Sequence, residues 1–273
     1  MAILKRRGLL VKNQPYKNRK ALAKREGNMA IKCNYCDGGQ SNSQVGFNDV
    51  CSDEMIDYNV KNHVWCGQKD CGCYMYHEGE ISRQELEMEY LRALQNENGV
   101  CYESALFRKW FASAGWYHNG DRAGEPKAID KAKCGGLCVL STRTPHDKEA
   151  GRFIFGLFLL DYFFKGDSKN EGRVKSRSDY RLIFSMEQAR QLLFWRYYKN
   201  PKAEKPEICQ WSFGLFHYLS DAQSVQILQD AVKVKAGTQD EALARDFLAH
   251  YCNLNNVNPD DVWEPDGALT LNR

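Results

Sequence analysis

Six of the chain's eleven cysteines crowd between Cys33 and Cys73: in CNYC (Cys33, Cys36), at Cys51, and in WCGQKDCGC (Cys66, Cys71, Cys73). The same stretch is punctuated by Gly38, Gly39, Gly46 and Asn48, a loop-rich composition whose order has to come from cross-links rather than from a core. The cysteine count is odd, and the start MAILKRRGLLVKNQ lacks the apolar run and small-residue cleavage site of an export signal, which favours metal over disulfides. Zinc (Zn2+) is the expected ion, since a CxxC turn aims two thiolates at one centre and a downstream group completes a tetrahedron. The first-choice ligands are Cys33, Cys36 and Cys66 with either Cys71 or Cys73. The Cx4CxC spacing leaves that choice open, and Cys51, His63 and His77 stand in reserve. The other five cysteines, Cys101 among them, read as small core residues.

Residues 1–28 carry nine Lys/Arg against one Glu, so the basic character of a chain with net charge +3 belongs to this arm and the remainder is net acidic. Such an arm can neutralise phosphates without sequence preference. Its alternative reading is a flexible terminus ahead of a natural start at Met29. With 43% hydrophobic residues over 273 positions the chain can bury a substantial core. No apolar run approaches the roughly 20 residues of a membrane span. A cytoplasmic protein without a membrane partner is expected.

The expected fold class is α+β, arranged as a basic arm (1–28), a cysteine-rich zinc-binding module (29–80), a helical region (81–118), a mixed domain (134–235) and a C-terminal helix and tail (236–273). Ser82 with Glu85 forms a capping box opening one helix, and a second is expected over 101–114. Strands are expected over 137–142, 152–162 and 180–184. Helices should follow over 185–200, after Ser220 and from Thr238.

Catalytic signatures are missing. There is no HExxH, no HxE with PCxxC, no GxxxxGK[ST], no GxGxxG and no GxSxG. The chain is therefore read as non-enzymatic. The enzymatic alternative is a metal-dependent, modification-dependent nuclease using acids such as Asp53, Asp57 or Glu80.

The run KCGGLCVLSTRTPHDKEAGRFIFGLFLLDYFF has a short strand ending in Ser141-Thr142-Arg143, a polar loop, and a long strand opening at Arg152. In this order it resembles the PUA-like superfamily of EVE, YTH and ASCH domains over about residues 134–235. The resemblance implies a small β-barrel with flanking helices that binds nucleic acid, DNA or RNA, and accepts one base, including a modified one, in an aromatic pocket. On that reading Ser141, Thr142, Arg143 and Arg152 form the polar edge, and Trp116, Trp195 and Trp211 supply stacking, with Tyr197, Tyr198, Phe213 and Phe216 as further rings. Lys169, Arg173, Lys175 and Arg177 meet phosphates.

Each assignment has a plainer counterpart. The aromatics of LLFWRYYKN recur at helical spacing and suit a core. The cations between Lys165 and Arg181 suit a solvated loop. Arg143 and Arg152 can pair with Asp147 and Glu149. The reading adopted is a nucleic-acid-binding protein with a structural zinc module, set against the nuclease and against a zinc-stabilised protein-interaction module.

Overall fold

The computed structural model describes residues 16–39, 45–96, 101–212 and 214–270. The first part of the basic arm and the ring of Phe213 lie outside the described residues. The strands are β1 (Arg25–Lys32), β2 (Phe111–Ser113), β3 (Leu137–Thr142), β4 (Phe153–Leu159), β5 (Tyr162–Phe164), β6 (Arg173–Lys175), β7 (Arg181–Ile183) and β8 (Phe216–Ser220). The helices are α1 (Arg19–Leu22), α2 (Asp53–Asn62), α3 (Gly72–His77), α4 (Arg83–Asn96), α5 (Leu106–Lys109), α6 (Met186–Gln191), α7 (Phe194–Tyr197), α8 (Asp221–Lys235) and α9 (Glu241–Asn255).

The class is α+β, as expected, but no barrel closes among the described residues. Five strands form an open mixed sheet ordered β7-β4-β3-β1-β8, and three form a second sheet ordered β2-β6-β5. Every residue of β3 and β4 is buried, as befits central strands covered on both faces. On one side Phe47, from the cysteine-rich stretch, stacks on Phe155 with ring centroids 3.9 Å apart. Gly156 makes room there: a Cβ at this position would meet the Phe107 ring at 3.0 Å and Leu140 at 3.2 Å. Helix α8 packs against β1 and β8, and α9 packs against α8.

β1 is the main departure from the expected organisation. It begins inside the basic arm, pairs parallel with β3 and antiparallel with β8, and so makes residues 25–32 part of the central sheet. Asn28 is 1% exposed. Its Nδ2 donates to Asp221 Oδ1 (2.9 Å) and its Oδ1 accepts from Leu137 N (2.8 Å) and the Tyr251 hydroxyl (2.9 Å). Lys17 Nζ reaches Asp221 Oδ2 at 2.5 Å. This buried polar network ties β1, β3, α8 and α9 together, with each partner satisfied.

Two expected helices are cut short by strand pairing. Over 101–114 the helix stops at Lys109. Trp110 takes a left-handed conformation (φ 47°), and β2 then pairs with β6. Over 185–200 the capping box of Ser185 and Gln188 starts α6 as expected. Ile154 N then donates to Leu192 O and Phe194 N to Arg152 O, both at 2.9 Å, pulling 192–194 onto the end of β4 before α7 resumes. Among the described residues no helix is long and apolar enough to cross a membrane.

Candidate cysteine cavity and nucleic-acid face

The cysteine-rich stretch is organised by the start of α2. Ser52 caps that helix, its Oγ accepting from Met55 N (3.3 Å), and Asp37 accepts from Ser52 N (2.8 Å) and Ser52 Oγ (2.5 Å). This clasp brings the loop after β1 beside Cys51. Gly46 crosses the same loop so closely that a Cβ would lie 2.3 Å from the Cys36 carbonyl oxygen. Cys36, Cys51, Cys66, Cys73 and Cys101 line one cavity with Asn34, Tyr35, Ile56, Asn59 and Glu103. The cavity measures about 10 Å³, against the ~10–15 Å³ one water molecule needs, so it suits a single atom-sized guest. Asn59 is 4% exposed; its Nδ2 donates to Tyr35 O (3.0 Å), while its Oδ1 has no hydrogen-bond partner.

Glu103 Oε1 accepts from Asn34 N (3.2 Å), and burial pushes its carboxyl up to about 7. Burial raises the thiols of Cys66 and Cys101, the latter to about 12. A hydrogen bond with Cys36 is the first cause of the rise at Cys51, ahead of burial. Cys71 accepts from the Cys73 thiol and from backbone N–H groups, which lowers it to about 6 and raises Cys73. Among the described residues no three of His, Cys, Asp and Glu already stand at metal-ligand geometry.

The ligand set expected from spacing is only partly gathered. Cys36, Cys66, Cys73 and the reserve Cys51 line the cavity, whereas Cys33 and Cys71 do not. CNYC forms no turn: Cys33 N donates to Ser141 O (2.9 Å), continuing the β1–β3 pairing. Residues three apart in such a path face opposite ways. His77 instead faces Asp57 (3.1 Å) and Glu78 (2.8 Å). Cys101 was missed by spacing because α4 separates it from the other thiols.

The polar edge implied for a base pocket lies inside the protein. Ser141 and Thr142 are fully buried in β3, where their hydroxyls donate to Ile31 O (2.9 Å) and Cys33 O (3.0 Å). Arg152, 1% exposed, donates to Glu149 (2.5 Å) and to Ser141 O (3.3 Å), and its guanidinium lies 5.1 Å from the Trp211 ring centre. Trp195 and Trp211 are core residues, 0% and 2% exposed, packed edge-on or tilted against each other and against Phe194, Tyr198 and His217. Arg143 is held by Asp147 O (2.6 Å) and Glu149 (3.3 Å). Trp116, half-buried, bridges to Pro126 away from this group. These residues do not converge on an open pocket, because β3 is a central strand covered on both faces.

The cations expected to meet phosphates fare differently. Arg173 and Lys175 sit in β6, the middle strand of the second sheet. The register sets Phe111, Lys175 and Tyr162 in one row and Ser113, Arg173 and Phe164 in the next. Ala112, Val174 and Phe163 alternate with them and pack on the core, whereas Phe111, Tyr162 and Phe164 lie outside it. Tyr162 is 45% exposed, and Arg177 places its guanidinium 6.0 Å from that ring. Lys169 lies on the exposed turn that Asp167 closes by accepting from Lys169 N and Asn170 N, each at 2.8 Å. No protein-family model, curated protein or solved structure matches this chain.

Proposed function

We propose that the chain binds single-stranded nucleic acid on the outward face of the β2-β6-β5 sheet. The observation that carries this reading is the pattern of that face: three rings excluded from the core, Phe111, Tyr162 and Phe164, flank a middle strand presenting Arg173 and Lys175. Tyr162 is exposed and Phe111 and Phe164 are half-buried, and accessible ring faces offer stacking to any base, worth about 1–3 kcal/mol each. Cations between them neutralise the backbone running alongside. Tyr162 and Phe164 are two residues apart, about 6.6 Å along a strand, which suits unstacked bases in an extended strand. With Ser141, Thr142, Trp195 and Trp211 in the core, recognition on this face is by stacking and charge, so tolerance of sequence and of base modification is expected.

The experiment is fluorescence anisotropy with labelled single-stranded and duplex oligonucleotides carrying cytosine, 5-methylcytosine or 5-hydroxymethylcytosine. Preference for single strands with near-equal affinity across the three bases supports the reading. A strong preference for one modified base would move recognition to a base pocket elsewhere. The nuclease reading gains no support from geometry: Asp57 pairs with Lys61 and His77, and Asp53 with Arg83, on the module's surface. An interaction module is favoured by one observation, the exposure of Val64 (65%) and Trp65 (39%). A stoichiometric protein partner lost on Trp65→Ala, with no oligonucleotide binding, would put that reading first.

A further inference from the structure

We infer that the cysteine cavity holds one thiophilic divalent ion of the zinc class, and that Cys101, outside the cysteine-rich segment, is one of its thiolate ligands. Five thiols reach this cavity from separate places in the chain: the loop after β1 (Cys36), the approach to α2 (Cys51), the turn after α2 (Cys66), α3 (Cys73), and the segment before the 3₁₀ turn at 103–105 (Cys101). Isolated buried cysteines are ordinary core residues, and Cys138, fully buried in β3, is one. Convergence of five on a space of about 10 Å³ is a different situation. That volume admits one ion and excludes a cluster of several metal and sulfide atoms.

The orphaned Oδ1 of Asn59 is an independent sign. A buried acceptor without a partner is uncommon and calls for a donor or cation to satisfy it, and this one belongs to a residue lining the cavity. Zinc suits the donor set, since thiolates select soft ions and four of them close a structural site. The sulfurs line the cavity without standing at ligand geometry, so the ion would draw them inward, converting four thiols to thiolates with release of their protons. Cys101 lines the same cavity as the other four thiols, beside Glu103. Cys33 does not line the cavity; its N–H donates to Ser141 O (2.9 Å), in line with the β1–β3 pairing.

The test uses the full chain purified under reducing conditions, with metal content measured by plasma mass spectrometry. The expected content is about one zinc per chain, retained by Cys33→Ser and Cys134→Ser and reduced at least fivefold by Cys36→Ser and Cys101→Ser. A metal-free wild-type chain with every thiol reactive, or a Cys101→Ser variant with full zinc content, would overturn the inference. Should Cys101→Ser fail to fold, the wild type decides. Alkylation mapped by mass spectrometry should show Cys101 protected by zinc and exposed after chelation, while Cys134 reacts alike in both. Equal labelling of Cys101 with and without zinc overturns the assignment.

Discussion

Neutralising the cations of the small sheet should change how binding responds to salt more than how the protein folds. In the triple variant Arg173→Gln, Lys175→Gln, Arg177→Gln, three positive charges leave a face whose rings stay in place. The Arg173 side chain is 58% exposed and its ion pair with Glu171 is long, at 3.8 Å, so the loss of stability should stay within about 0.5 kcal/mol per site. For single strands, log K falls with log salt by about 0.7 per neutralised phosphate. Three contacts therefore contribute a slope of roughly 2. Between 50 and 200 mM salt, a fourfold change, the wild type should lose about 20-fold more affinity than the variant. Anisotropy titrations at four salt concentrations measure both slopes, and charges elsewhere, including the basic arm, contribute equally to each. Parallel slopes for wild type and variant would refute the placement of phosphates on β6, whatever the absolute affinities.

Tyr162→Ala removes one exposed ring and should weaken single-strand binding by about 1–3 kcal/mol, roughly 5- to 150-fold, with little effect on thermal stability; unchanged affinity would remove Tyr162 from the platform. Asn28→Ala strips partners from Leu137 N, Asp221 and Tyr251, at about 3 kcal/mol and a Tm decrease of about 6–12 °C; a shift under about 2 °C would deny the network its role. His217 lies 2.7 Å from Trp211 O, and burial is the main cause lowering its ring to about 4. Because the unfolded ring titrates near 6.5, the unfolded state binds more protons between those values, so stability is fully present above about 6.5 and declines as pH falls toward 4, by about 2–3 kcal/mol for a half-buried ring. Denaturant unfolding from pH 7.5 to 4.5 should show that decline in the wild type and a flatter curve in His217→Gln; parallel curves would assign acid sensitivity elsewhere.

What could be read from sequence was local. Ser82 with Glu85 and Ser185 with Gln188 announce helix starts, and the side chains form those capping contacts, whereas the helix expected from Thr238 with Glu241 starts only at Glu241, with Asp240 as its N-cap and the Thr238 hydroxyl turned back to Lys235 O. β3 and β4 are legible as short runs rich in aliphatic and aromatic residues. Long-range pairing was not. Nothing in REGNMAIK says that it lies between β3 and β8, because a parallel neighbour more than a hundred residues away leaves no periodicity in the strand itself. The same limit hid both halves of the small-sheet face. YFF and RVK are too short to display a period, so Phe111 and Tyr162 become neighbours of Lys175 only through pairing. Trp195 and Trp211 misled for the opposite reason: a ring suited to stacking a base is equally suited to a core, and burial decides between them.

The cavity and the face meet at three consecutive residues. Cys101 and Glu103 line the cavity, while the Tyr102 ring between them packs edge-on against Phe111 of β2 at 5.2 Å. Any ion that draws Cys101 inward must therefore carry the backbone holding Tyr102, and with it the support under one ring of the stacking face. Spatial continuity is not coupling, but coupling between two ligands has a signature that continuity lacks. If zinc tightens oligonucleotide binding by some factor, the oligonucleotide must tighten zinc binding by the same factor. Competition with a chelator of known affinity, with and without saturating oligonucleotide, measures one side, and anisotropy on zinc-loaded and chelated protein measures the other. Equal factors above unity, abolished in Phe111→Ala, are expected; affinities independent of one another would make the cysteine cavity a structural anchor with no hold on the face.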